Sequence, residues 1–154
     1  MKNVNTDEIN IQRTYYKKTA DQYEKMHTED EADEHFFALS CLAGLTNYLK
    51  IESILDLGSG TGRSIKYLKE ICPKIKVIGI EPVKELREVA YSQGVPKEEL
   101  IDGDATKLNF KNSEFDLVCE FGILHHIKNN KLVVDEMLRV SKRAIFISDN
   151  NNLG

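Results

Sequence analysis

The chain has 154 residues, 41% of them apolar and 30% charged, the size and composition of one ordinary globular domain. With 21 Lys and Arg against 25 Asp and Glu, the formal net charge is −4. That balance gives no electrostatic reason to expect a nucleic acid partner, and no dense basic run exists to make a local exception. The apolar stretches are too short to span a bilayer, and MKNVNTDEIN has no apolar core of a signal peptide. Cys41, Cys72 and Cys119 are far apart and odd in number, without a CxxC pair. They read as reduced cytosolic thiols in core or element-end positions, not a disulfide framework or a zinc site.

Polar residues open the chain. A helix is expected over about 13–27, with Tyr15, Tyr16, Ala20 and Tyr23 on one face. Thr28 and Glu31 form a capping box before a second helix that ends near Lys50. Phe36, Phe37, Leu39, Leu42, Ala43, Leu45 and Leu49 supply its apolar positions. The acids of 29–34 suit a first helical turn, where the helix dipole favours negative charge.

From residue 51 the pattern alternates. Strands are expected at Ile51–Leu57, Ile75–Ile80, Leu100–Ile101, Phe115–Cys119 and Ala144–Ser148. Between them, Arg63–Ile71 is helical with Ile65, Leu68 and Ile71 inward, and Pro73 ends it. Pro82 opens a helix to Gln93, with Gly94 as its C-terminal cap. Asn129–Val140 is an amphipathic helix carrying Leu132, Val133, Met137 and Leu138. Such alternation predicts an α/β domain: right-handed βαβ units and a parallel sheet covered on both faces.

The segment LDLGSGTG (55–62) follows a strand and opens a helix. Its glycines permit tight turning and close backbone approach to a ligand. Glu81 ends the second strand nineteen residues past Gly62, where an acid accepts the hydroxyls of a ribose. Asp104 follows the third strand and can meet an adenine amino group. The dinucleotide pattern G-x-G-x-x-G is not matched, because Arg63 stands where its third glycine would be. Asp56, two residues before the first glycine, suits a ligand with a positive amino group better than a pyrophosphate.

Five segments in order resemble the class I S-adenosylmethionine-dependent methyltransferases, most closely those acting on small molecules. They are LDLGSGTG (55–62), VIGIEP (77–82), DGDA (102–105), FDLVCEFGILHHI (115–127) and DEMLRVSK (135–142) followed by AIFISD. The resemblance covers about 51–149 and implies a Rossmann-like three-layer sandwich with strand order 3-2-1-4-5, beneath a helical cap (1–50). It implies S-adenosylmethionine as cofactor, S-adenosylhomocysteine as product, and in-line methyl transfer to a small-molecule acceptor by a cytoplasmic enzyme. It places Asp56, Gly58, Ser59 and Gly60 around the methionine part, and Glu81, followed by Pro82, at the ribose. Asp104 and the backbone of Ala105 go to the adenine. The backbone of Glu120 goes to the methionine end, and Tyr23 of the cap beside the sulfonium. Arg143-Ala144 stands where the family often has Gly-Gly before strand five.

The donor is already activated, so the protein supplies alignment, and a base if the acceptor must lose a proton. His125, nearer the strand end than His126, is the candidate base; Cys119 reads as a buried small hydrophobe. The Asn/Asp-Pro-Pro-aromatic motif of base-modifying amino methyltransferases is absent, since Glu120-Phe121-Gly122-Ile123 occupies its place. A dehydrogenase would need other glycine spacing. A catalytically silent cofactor-binding partner, or less readily an RNA or protein methyltransferase, is the alternative. Similar enzymes add strands 7 and 6 beyond strand five. The expectation is therefore a single domain that is C-terminally incomplete at Gly154, or one whose bare edge is covered, for example in a homodimer.

Overall fold

The computed structural model describes residues 34–149. The expected helix over 13–27, its tyrosines including Tyr23, and the Thr28–Glu31 capping box lie outside the described residues. Helix α1 is Glu34–Tyr48, followed by β1 (Ser53–Leu57) and α2 (Arg63–Ile71). Then come β2 (Lys76–Ile80), α3 (Lys84–Ser92), β3 (Leu100–Ile101) and β4 (Phe115–Phe121). A 3-10 turn (Leu124–His126), α4 (Asn130–Val140) and β5 (Ser141–Ser148) complete the order.

The strands form one sheet in the order β3-β2-β1-β4-β5, and every pairing is parallel. This is the expected Rossmann-like three-layer sandwich. Alternation along the central strands sends side chains into two cores. Ile54, Leu117 and Cys119 join Leu39, Leu42 and Ala43 of α1, Ile65 and Leu68 of α2, and Ala90 of α3. On the other face Leu55, Leu57 and Val118 meet Val133, Met137 and Val140 of α4, with Ala105 and Leu108. Within the described sheet β5 lies at one edge, with β4 as its neighbour.

Several expected inward positions point outward. Ile71 is 53% exposed, Leu132 45%, Leu138 58% and Phe37 72%. Short helices on a parallel sheet bury one narrow stripe, and these apolar residues lie beside it rather than on it. Cys41 likewise is exposed on α1 rather than in the core, and all three cysteines are free. Pro82 does not open α3. The chain remains extended through Val83, whose φ is −84° and ψ 110°, and Lys84 is the first helical residue. The backbone N–H of Val83 is taken by the Glu81 carboxylate at 2.8 Å, which places the start of the helix one residue beyond it.

Two side chains with no role in the sequence reading tie the layers together. At the N-terminal end of the sheet, Asp116 Oδ2 accepts from the backbone N–H of Glu52 at 2.9 Å and of Ser53 at 3.2 Å. Its Oδ1 faces Arg143 at 3.3 Å, so Arg143 here holds β5 to β1 through β4. Burial disfavours the charged form. The Glu52 N–H, Arg143 and the charge of Lys142 outweigh it and hold the Asp116 carboxyl below its usual range. On the other face, Arg139 of α4 donates to Leu108 O and Phe110 O at 2.9 and 2.8 Å. That fixes the segment leading from β3 to β4.

Replacing Asp116 deprives the exposed Glu52 and half-buried Ser53 donors of their carboxylate partner. Asp116→Ala is expected to lower unfolding free energy by about 1–2 kcal/mol, read by urea denaturation at neutral pH. Because the folded carboxyl titrates below its unfolded value, this contribution is complete above about pH 4 and lost on further acidification.

Candidate active site at the C-terminal strand ends

In an open parallel sheet ligands bind outside the carboxyl ends of the strands, at the point where strand order reverses. Here that point lies between β1 and β4, and the glycine loop starts there. Gly58, Gly60 and Gly62 all have positive φ, of 69°, 54° and 76°. At Gly58 a Cβ would collide with Ile123 of the loop after β4, so the two loops touch only because this residue is glycine. Gly79, inside β2, was not singled out in the sequence. A Cβ there would collide with Ser59, and its absence lets the loop rest on β2.

The loop is held from below by hydrogen bonds to the end of β2. The N–H groups of Gly58 and Ser59 both donate to Ile80 O, at 2.9 and 3.0 Å. Gly60 N–H donates to Glu81 Oε2 at 3.0 Å. The other Glu81 oxygen accepts from Val83, so this 5%-exposed carboxylate bridges the glycine loop and the approach to α3. Arg87 donates to the Glu81 carbonyl and to Asp102. Burial raises the Glu81 pKa, against the two backbone donors and the charge of Arg87. Each carboxylate oxygen retains a second lone-pair direction.

Asp56 is fully enclosed beneath the loop. Its Oδ2 accepts from Ser64 Oγ, while Cys119 Sγ lies 3.7 Å from Oδ1. Ser59 Oγ donates to the Asp56 carbonyl at 3.1 Å. Burial outweighs these bonds and pushes the Asp56 carboxyl up to about 6. Burial, with the nearby Asp56 charge, also drives the Cys119 thiol well up, so it stays protonated. The expected adenine-side residues differ from one another. Asp104 is exposed, and its Oδ1 accepts from Thr106 N–H at 2.8 Å and Thr106 Oγ1 at 2.7 Å, an Asx turn that leaves Oδ2 open. Ala105 is buried under that turn, while Pro82 is exposed.

The role expected of Glu120 lies in its backbone. Its side chain is completely buried, and Oε2 accepts from Ile123 N–H at 2.9 Å. Its Oε1 has no partner, and neither has the buried hydroxyl of Thr61 in the glycine loop. Burial, then the charge of Asp149, push the Glu120 carboxyl up to about 7. Thr61 carried no signal in the sequence beyond its place in the loop. His125 lies in the 3-10 turn after β4 and is bonded to Asp149 at the end of β5. Among the described residues no cluster of three or more His, Cys, Asp and Glu could hold a metal ion, and no helix is long and apolar enough to cross a membrane.

A doubly wound parallel sheet with a glycine loop after β1 and buried acids at the ends of β1, β2 and β4 defines a nucleotide-cofactor-binding α/β protein. Residues 55–146 match the family model for a methyltransferase domain, and the chain belongs to the class I S-adenosylmethionine-dependent methyltransferases. It is 30% identical to a demethylmenaquinone methyltransferase of Thermotoga maritima, over 60% of this chain and 40% of that one. It is 30% identical to a malonyl-[acyl-carrier protein] O-methyltransferase of Legionella pneumophila, over 81% of this chain and 44% of the relative. A solved structure from Thermotoga maritima, described as an S-adenosylmethionine-dependent methyltransferase and possible histamine N-methyltransferase, superposes with a TM-score of 0.59. It is 26% identical and covers 82% of this chain and 55% of its own. The chain thus spans less than half the length of these two curated relatives.

The arrangement fits a cofactor of this type. Three nearly or fully buried acids, Asp56, Glu81 and Glu120, stand at the strand ends around the glycine loop, and two buried polar atoms there, Glu120 Oε1 and the Thr61 hydroxyl, lack partners. The raised Asp56 pKa has a measurable sign. The folded chain holds this proton between about pH 4 and pH 6 and the unfolded chain does not, so stability should fall as pH rises through that window. The shift from 3.8 to about 6 corresponds to roughly 3 kcal/mol. Urea denaturation at a series of pH values should show this slope, to which the raised Glu81 and Glu120 carboxyls add with the same sign, and Asp56→Asn should make it shallower without abolishing it.

Proposed function

We propose that the protein transfers a methyl group from S-adenosylmethionine to a small-molecule acceptor. The observation that carries this is the glycine loop clamped on Ile80 O and Glu81, directly above the buried Asp56 carboxyl. Family membership supports it, as do relatives named for demethylmenaquinone and for malonyl-acyl carrier protein. The negative net charge favours neither nucleic acid nor other polyanions as acceptors.

In this reading the cofactor, once bound, supplies a methyl group activated by a positive sulfur. Asp56, Gly58, Ser59 and Gly60 hold its methionine part. The Glu81 oxygens use their remaining lone pairs for the ribose hydroxyls. Asp104 Oδ2 takes the adenine amino group, and Ala105 lies beneath that ring. The unpartnered Glu120 Oε1 and the Thr61 hydroxyl gain partners when the site fills, which relieves the cost of burying them alone. Tyr23 remains the candidate aromatic shield from the preceding segment. The described residues build the cofactor side; acceptor contacts come from the mouth of the site and from segments around it.

S-adenosylhomocysteine at one hundred times its dissociation constant should stabilise the protein by about 2.7 kcal/mol. Differential scanning fluorimetry should then show a raised melting temperature, while NAD gives none. Glu81→Ala, compared with its own unliganded melting temperature, should lose most of the shift. A shift with NAD alone would exclude the assignment, and a full shift in Glu81→Ala would remove the ribose role of Glu81.

A further inference from the structure

Gly122 turns the chain out of β4 with a φ of 79°, and titratable groups from several elements gather around it. A Cβ on Gly122 would lie 2.8 Å from Cε1 of His35 in α1 and 3.8 Å from Cε1 of His125. His126 lies against His125 with ring centroids 3.8 Å apart and the planes tilted by 48°. Asp149 reaches in from the end of β5, and Glu120 lies buried in β4 within range of the Asp149 charge.

Within this group one contact is doubled. Asp149 Oδ2 accepts from the backbone N–H of His125 at 2.9 Å, and Asp149 Oδ1 meets ring Nδ1 of the same residue. A carboxylate gripping both backbone and ring leaves the imidazole little rotational freedom. An ionised carboxylate only accepts, so the contact requires the proton on Nδ1 and puts the lone pair of the neutral ring on Nε2. The side chains of His125 and Asp149 are 22% and 13% exposed, and the pair lies at the surface, in reach of solvent. Burial and then the charge of His125 outweigh the charge of Asp149 and lower the His126 pKa.

We infer that Asp149 is the positioning residue for His125, and that the acceptor is a group bearing a dissociable proton on oxygen or nitrogen. This rests on the cofactor reading above. The acceptor's lone pair forms the new bond to the methyl carbon. The carbon–sulfur bond breaks with its electron pair going to sulfur, giving the neutral thioether. The acceptor's proton passes to His125 Nε2, and the imidazolium formed is held by Asp149. An acceptor that arrives as a carbanion or thiolate would have no use for this pair.

The test needs no known acceptor. Long-range proton–nitrogen NMR on the wild type should show the neutral His125 ring as the Nδ1–H tautomer, and Asp149→Asn should shift it toward Nε2–H. Acylation of His125 by diethyl pyrocarbonate, followed by mass spectrometry, should slow at least fivefold in Asp149→Asn and recover in part in Asp149→Glu. Calorimetric binding of S-adenosylhomocysteine should persist in all three proteins. An Nε2–H ring in the wild type, or an acylation rate indifferent to Asp149→Asn, overturns the pairing while leaving the cofactor site standing. Failure of the wild type to bind S-adenosylhomocysteine overturns the cofactor reading instead, and the acceptor chemistry built on it.

Discussion

One buried carboxylate organises this end of the molecule. Glu81 accepts from Gly60 in the glycine loop and from Val83 before α3. The loop therefore cannot shift without breaking a charge-assisted bond in a dry setting. The two N–H groups that donate to Ile80 O add a second anchor one residue earlier. A ligand-binding loop built almost wholly of glycine and small polar residues would otherwise be mobile. Anchoring it to the rigid end of a central strand makes its backbone a preformed surface.

The same geometry concentrates negative charge. Asp56, Glu81 and Glu120 close three neighbouring strands, all nearly or fully buried, and burial raises the pKa of each. Such a site is costly when its acids are ionised without a cation. It gains from a ligand that carries positive charge, and less from a pyrophosphate. Cofactor choice thus follows from desolvation as well as from glycine spacing. The far end of the sheet is arranged oppositely. There Asp116 is compensated by Arg143, Lys142 and backbone donors, which suits a structural brace.

The sheet was legible because its strands are short apolar runs between turn residues, and a parallel sheet buried on both faces demands that composition. The glycine loop, Glu81 and Asp104 were legible because motif residues must fall at strand ends. Helix facing was not. Leu132 and Leu138 fit an apolar period as well as Val133 and Met137 do, and only packing on the sheet selects among them. The start of α3 was misplaced at Pro82 because a long-range bond, Glu81 to Val83, competes with the local preference of proline. Asp116, Arg139, Gly79 and Asp149 were invisible for the same reason. Each acts on a partner distant in sequence, such as Ser53 for Asp116 or His125 for Asp149.

The proposed function has the strand ends of β1, β2 and β4 hold the cofactor with these particular side chains. A crystal structure of the protein with S-adenosylhomocysteine tests it most directly. In that complex the ribose hydroxyls should lie within hydrogen-bonding distance of Glu81, the adenine amino group at Asp104, and the methionine end over Asp56 and the glycine loop. A nucleoside bound elsewhere, or a Glu81 carboxylate still engaged by Gly60 and Val83 alone, would contradict it.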